Sequence, residues 1–143
     1  MFIGEFHHVI DPKGRVAIPS KFRLILGKDA FVTRGIDNCL FVYPKEEWGK
    51  LAQKLSQLPI SDIKARAFSR LMLSGAGEVE FDRQGRILLP GYLRDYAGLK
   101  NTVCAVGVYN RIEIWDEAKW NEYKGKMDKE TEAISEHLAN LGV

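Results

Sequence analysis

Apolar and polar residues alternate with a period of two over residues 2–10. Phe6, His8 and Ile10 fall on one face, and Glu5, His7 and Val9 on the other. That period predicts a strand. It breaks at Asp11-Pro12-Lys13-Gly14-Arg15, and Val16-Ala17-Ile18 reads as the return strand. Pro19 then opens a short helix, Ser20 to Leu26, which Gly27 closes. Phe22, Ile25 and Leu26 form its apolar stripe, with Lys21 and Arg23 outside it. Ala30 to Thr33 and Cys39 to Tyr43 read as strands around a turn at Gly35-Ile36-Asp37-Asn38. Pro44 ends the second of these and leads into a helix from about Glu46. Trp48, Leu51, Leu55 and Leu58 make a narrow seam along it, suited to a core or to a neighbouring subunit. Pro59 breaks the chain. Ser61 is the expected N-cap of a second helix running to about Leu73. Ile63, Ala67 and Leu71 define its apolar face, flanked by Arg66 and Arg70. Ser74-Gly75-Ala76-Gly77 is a joint.

The pattern then repeats. At an offset of 71, Asp11, Gly14, Arg15, Pro19, Arg23 and Gly27 match Asp82, Gly85, Arg86, Pro90, Arg94 and Gly98. At an offset of 72, Gly35, Asn38 and Trp48 match Gly107, Asn110 and Trp120. The one-residue slip falls in the loop after the short helix, where insertions are tolerated. The chain is therefore an internal duplication. Its units are expected at 5–47 and 76–119, with a helical connector at 48–75 and a helical tail at 120–143. Each unit alone leaves strand edges unpaired. Two units closing on each other predict a mainly β fold with peripheral helices, a pseudo-two-fold barrel. In the tail, Asp116 is the expected cap. Trp120, Met127, Ile134 and Leu141 recur every seven residues, with breaks expected near Gly125 and Asp128. That repeat suits contact between subunits or docking on the chain's own sheet.

The duplicated turn is the chemical centre. Asp first, Pro second and Gly fourth suit a type I turn ending in a left-handed residue, the usual three-residue hairpin loop with a bulge. Gly14 and Gly85 supply the positive φ. Each turn sets an Asp and an Arg across a hairpin mouth, with Lys13 or Arg83 at the tip. An Asp–Arg pair alone can be a surface ion pair worth about 0–1 kcal/mol. The tip cation is surplus to such a pair. The Arg fork also fits phosphate, or guanine O6 and N7 in the major groove.

Composition narrows the alternatives. The net charge of +2 gives one chain no broad positive field, so any nucleic-acid binding has to be local or pooled by assembly. No run is long and apolar enough for a membrane span, and no signal-peptide pattern is read. Cys39 and Cys104 lie in apolar runs without metal-ligand spacing, so buried reduced thiols are expected. His7 and His8 point to opposite faces of a strand and cannot chelate one ion together. There is no nucleophile with a base, no metal cluster and no phosphate loop, so no enzyme and no cofactor are expected.

Met1-Phe2-Ile3-Gly4-Glu5, followed by Asp11 to Pro19, resembles the start of the bacterial MraZ family. Arg34 to Leu40 and Asn110 to Trp115 are also similar to MraZ segments, and the resemblance runs the length of the chain. It implies tandem AbrB-like units interlocked as a barrel. It also implies a transcriptional regulator in the cytoplasm, associated with the nucleoid. Such a protein binds double-stranded DNA as a ring-shaped homo-oligomer, on direct repeats near the promoter of the division and cell-wall gene cluster. The motif carries over to Asp11, Arg15, Asp82 and Arg86; Lys13 and Arg83 join the expected DNA contacts. Asp11, Gly14, Asp82 and Gly85 are expected to orient the turns. The tips differ, Pro12-Lys13 against Arg83-Gln84. An antitoxin and a purely structural assembly protein are the alternatives.

Overall fold

The computed structural model describes residues 1–143. The first half runs β1 (Phe2–Val9), β2 (Arg15–Ala17), α1 (Ser20–Leu26), β3 (Ala30–Arg34), β4 (Leu40–Pro44), α2 (Lys45–Ser56) and α3 (Ile63–Ser74). The second half repeats that order. It runs β5 (Gly77–Val79), β6 (Arg86–Leu88), α4 (Gly91–Ala97), β7 (Thr102–Tyr109), β8 (Ile112–Asp116), α5 (Glu117–Lys129) and α6 (Thr131–Asn140). α1 has the expected bounds, with Pro19 as its N-cap and Gly27 at φ 69° just beyond it.

The halves exchange strands. β1 pairs antiparallel with β7, from Phe2↔Tyr109 to Val9↔Thr102. β5 pairs with β3, where Ala30 opposes Val79. β4 and β8 meet at the centre, giving a six-stranded sheet in the order β1-β7-β8-β4-β3-β5. Matched by repeat, that order reads the same from either end. β2 and β6 form a separate two-stranded sheet, with Val16 opposite Ile87.

The strands do not form the expected closed barrel. The two sheets are linked only by the isolated bridges Ile10↔Val16 and Phe81↔Ile87. The cause is local. Each return strand is three residues long. It leaves its own hairpin after the bridge at Val16 or Ile87 and is stopped by Pro19 or Pro90, which lack an N–H.

Alternation along the strands sorts the apolar residues into two cores. Leu40 and Val42 of β4 face the larger one, with Val16, Ile18, Phe22, Ile87, Leu89, Leu93, Ile112 and Ile114. Phe41 and Tyr43 face the other, where Leu55, Met72, Trp115 and Trp120 pack with both cysteines. Cys39 and Cys104 are free and buried, and burial pushes the Cys104 thiol up to about 11. On β1, His8 is half-buried and His7 exposed, one on each face.

The helices depart from expectation in three places. Asp62, not Ser61, caps α3, accepting from the Ala65 N–H at 3.1 Å. The packed face of α3 is Phe68 and Met72, rather than Ile63, Ala67 and Leu71; Ile63 is 73% exposed. In the tail, Gly125 passes through an unbroken helix, and the break falls at Glu130. Trp120, Tyr123 and Met127 dock on the chain's own sheet, whereas α6 has no buried residue. The sevenfold repeat thus divides: its first part packs in cis, and Ile134 and Leu141 stay exposed.

Candidate nucleic-acid interface

Both turns close in the same way. The Asp11 N–H donates to the Arg15 carbonyl at 3.0 Å, and the Gly14 N–H to the Asp11 carbonyl at 2.9 Å. Asp82, Gly85 and Arg86 reproduce these bonds at 2.9 and 3.0 Å. Gly14 has φ 90° and Gly85 φ 75°, a region that side chains resist.

Each aspartate accepts three hydrogen bonds from its own turn. Asp11 Oδ1 accepts the N–H groups of Lys13 (3.0 Å) and Arg15 (2.8 Å), and Oδ2 accepts Arg15 Nε at 2.6 Å. Asp82 Oδ1 accepts from Gln84 and Arg86, both at 2.9 Å, and Oδ2 accepts Arg86 Nε at 2.8 Å. Bonds to the following arginine, its backbone N–H first, hold both carboxyls below the usual carboxylate range. The side-chain hydrogen bond of each arginine is made through Nε. The two terminal nitrogens of its fork make no hydrogen bond within the chain, and they are the part suited to bidentate recognition.

The turns form one platform. The Leu89 N–H donates to the Gly14 carbonyl at 2.8 Å, and the Ile18 N–H to the Gly85 carbonyl at 3.1 Å. Each return segment is therefore tied to the opposite turn. Arg86 Nη1 lies 3.9 Å from Asp11 Oδ2 across the two halves. Lys13 and Arg83 are exposed at the tips. Equivalent backbone bonds match Lys13 with Gln84, so the tip cation sits one position earlier in the second turn.

Two further arginines join the platform. Arg94 of α4 donates from Nε to the Leu89 carbonyl at 3.0 Å and lies over Gly14, where an added Cβ would be 2.7 Å from Nε. Arg23 of α1 occupies the space a Cβ would fill at Gly85. Each glycine thus also makes room for an arginine from the other half. Sequence reading matches Arg23 with Arg94 in the repeat and places Arg23 outside the apolar stripe of its helix, with no role for either. Their identical positions in both copies are the available signal. Six cations (Lys13, Arg15, Arg23, Arg83, Arg86 and Arg94) then face two neutralising carboxylates. This local positive excess exceeds the net charge of the whole chain, +2. No helix is long and apolar enough to cross a membrane.

The duplicated platform has a counterpart among known sequences. The family model described as "MraZ protein, putative antitoxin-like" matches twice, at residues 1–71 and 72–140. The chain is 52% identical over its full length to the whole of a protein of Acetivibrio thermocellus named Transcriptional regulator MraZ. It is 51% and 50% identical to proteins of that name from Natranaerobius thermophilus and Moorella thermoacetica, again over the full length of both partners. Two matched repeats that together cover nearly all of the chain, and relatives collinear from end to end, place this chain in the MraZ family.

Proposed function

We propose that the chain is a sequence-specific DNA-binding transcriptional regulator. In this reading it acts in the cytoplasm, at the nucleoid, as a ring-shaped homo-oligomer. Its targets are direct repeats near the promoter of its own operon, in the division and cell-wall gene cluster. The observation that carries DNA binding is the platform itself: two turns in register, each presenting an arginine aimed by its aspartate. Lys13, Arg15, Arg83 and Arg86 make the contacts, while Asp11, Gly14, Asp82 and Gly85 hold them in place. Residues 5–47 and 76–119 are the reading units, 48–75 the helical connector and 120–143 the helical tail. The name of the relatives supports transcriptional regulation.

The chemistry follows from charge and geometry. Cations on phosphate release counterions, so binding weakens steeply with salt. An Arg fork on guanine O6 and N7 adds base discrimination. One platform is small and binds weakly. Several in a ring engage successive repeats on one duplex, each later contact being effectively intramolecular. The exposed Ile134 on α6, a helix without a buried residue, and Leu141 just past its end favour assembly through the tail.

The test is a gel shift on DNA from upstream of its own gene, across a salt series, with wild type and Arg15→Ala/Arg86→Ala. Loss of the shift and a shallower salt slope are expected. Equal binding with an unchanged slope overturns the site assignment. The description of the family model favours one other reading, a toxin neutraliser; a toxin co-purifying with the chain supports that instead.

A further inference from the structure

On the far side of the sheet from the turns, β1 and β7 bring three metal-ligating side chains together. Glu5 and His7 are two apart on β1 and share a face. Cys104 lies directly opposite His7 in the ladder. One ligand atom from each lies within 4.8 Å of the other two. We propose that Glu5, His7 and Cys104 bind one zinc-class divalent cation, with Glu117 as the outer carboxylate that orients the histidine.

The spacing suits such an ion. Zinc lies roughly 2.0–2.1 Å from N and O ligands and roughly 2.3 Å from sulfur, so tetrahedral ligand atoms stand roughly 3.3–3.6 Å apart. His7 Nε2 is 3.3 Å from Glu5 Oε1 and 3.8 Å from Cys104 Sγ. The other ring nitrogen, Nδ1, is 2.7 Å from Glu117 Oε2. A carboxylate on Nδ1 fixes the tautomer that leaves the Nε2 lone pair for the metal. Trp120 Nε1 donates to Glu5 Oε2 at 3.0 Å, which leaves Oε1 as the ligand atom. His7 is 41% exposed, so water reaches the fourth position.

A histidinium bridging Glu5 and Glu117 is the simpler account. It explains both carboxylates and leaves the thiol beside Nε2 as core packing alone. Charge also balances with the metal: a dication against the Glu5 carboxylate and the Cys104 thiolate is neutral. The thiol proton leaves to solvent as the ion binds. Lys124 Nζ, 3.2 Å from Glu5 Oε1, is the one competing cation, and its exposed stem lets it swing into water. An ion here ties the amino-terminal strand to β7 and, through Glu117, to α5.

The experiment is a titration of the full chain, thiols reduced, with cobalt(II) alone. One equivalent is expected to give a thiolate-to-cobalt charge-transfer band that zinc displaces. Cys104→Ser abolishes the band and Cys39→Ser retains it. Glu117→Ala weakens binding by about 10-fold, the effect of losing a ring-orienting carboxylate. A wild type without the band, or a band that survives Cys104→Ser, overturns the proposal. If circular dichroism finds Cys104→Ser unfolded, the exposed His7→Ala replaces it. Unchanged cobalt affinity in that variant overturns the proposal equally.

Discussion

Arg86 Nη1 and Asp11 Oδ2 lie 3.9 Å apart, and they belong to different halves of the chain. Asp11 therefore faces two arginines, its own Arg15 at 2.6 Å and the partner turn's Arg86. Removing it distinguishes orientation from charge. Asp11→Ala makes the platform more positive, which alone strengthens DNA binding. If the carboxylate acts by aiming the fork, affinity falls instead. We expect the fall, read by fluorescence anisotropy at two salt concentrations.

Arg23 and Arg94 reach across to the opposite turns. If they contact phosphate, Arg23→Ala and Arg94→Ala weaken binding about uniformly across DNA sequences. Each then lowers the salt slope by about 1. A slope unchanged in both variants limits them to propping the turns.

The glycines separate by position. Gly14→Ala and Gly85→Ala force a side chain into the left-handed region and onto an arginine; each should destabilise by about 1–3 kcal/mol. Gly125 lies within α5, and an added Cβ there meets nothing within 4 Å. Gly125→Ala should stabilise by about 0.5–1 kcal/mol. Urea denaturation of the three variants tests both signs.

Acid should act on the turns directly. The folded carboxyls of Asp11 and Asp82 sit below their ordinary value of 3.8. Their contribution is therefore complete above that value and lost as pH falls through the lowered one. Urea midpoints followed from about pH 5 to about pH 2 should drop, and less so in Asp11→Asn/Asp82→Asn.

The tail offers a separable test of assembly. Ile134 is 40% exposed on α6, a helix that buries nothing within the chain, and Leu141 just past its end is 65% exposed. Ile134→Asp/Leu141→Asp should leave the circular dichroism and urea midpoint unchanged and reduce the mass measured by light scattering.

Local features were legible in the chain. The turns, α1 and the strand alternation follow from Gly, Pro and the period of two, which act over a few residues. Features that depend on which strands meet were not. The matched Arg23 and Arg94 reveal nothing of their reach until the halves interlock. Alternation rightly separates His7 from His8; it also joins Glu5 to His7. Cys104 enters that cluster only through the β1–β7 register. The apolar face of α3 does not follow from Ile63, Ala67 and Leu71: their spacing suits a stripe, but Phe68 and Met72 are the residues that meet the second core.

The exchange of strands has a consequence during synthesis. Phe2 pairs with Tyr109, and Val9 with Thr102. The first strand made must wait for about a hundred further residues before its partner exists. At roughly 5–20 residues per second that is roughly 5–20 s on the ribosome with an open edge. The polar Glu5 and His7 and the permissive Gly4, at φ 92°, lie on that edge. They make the waiting strand a poor template for pairing with another nascent chain.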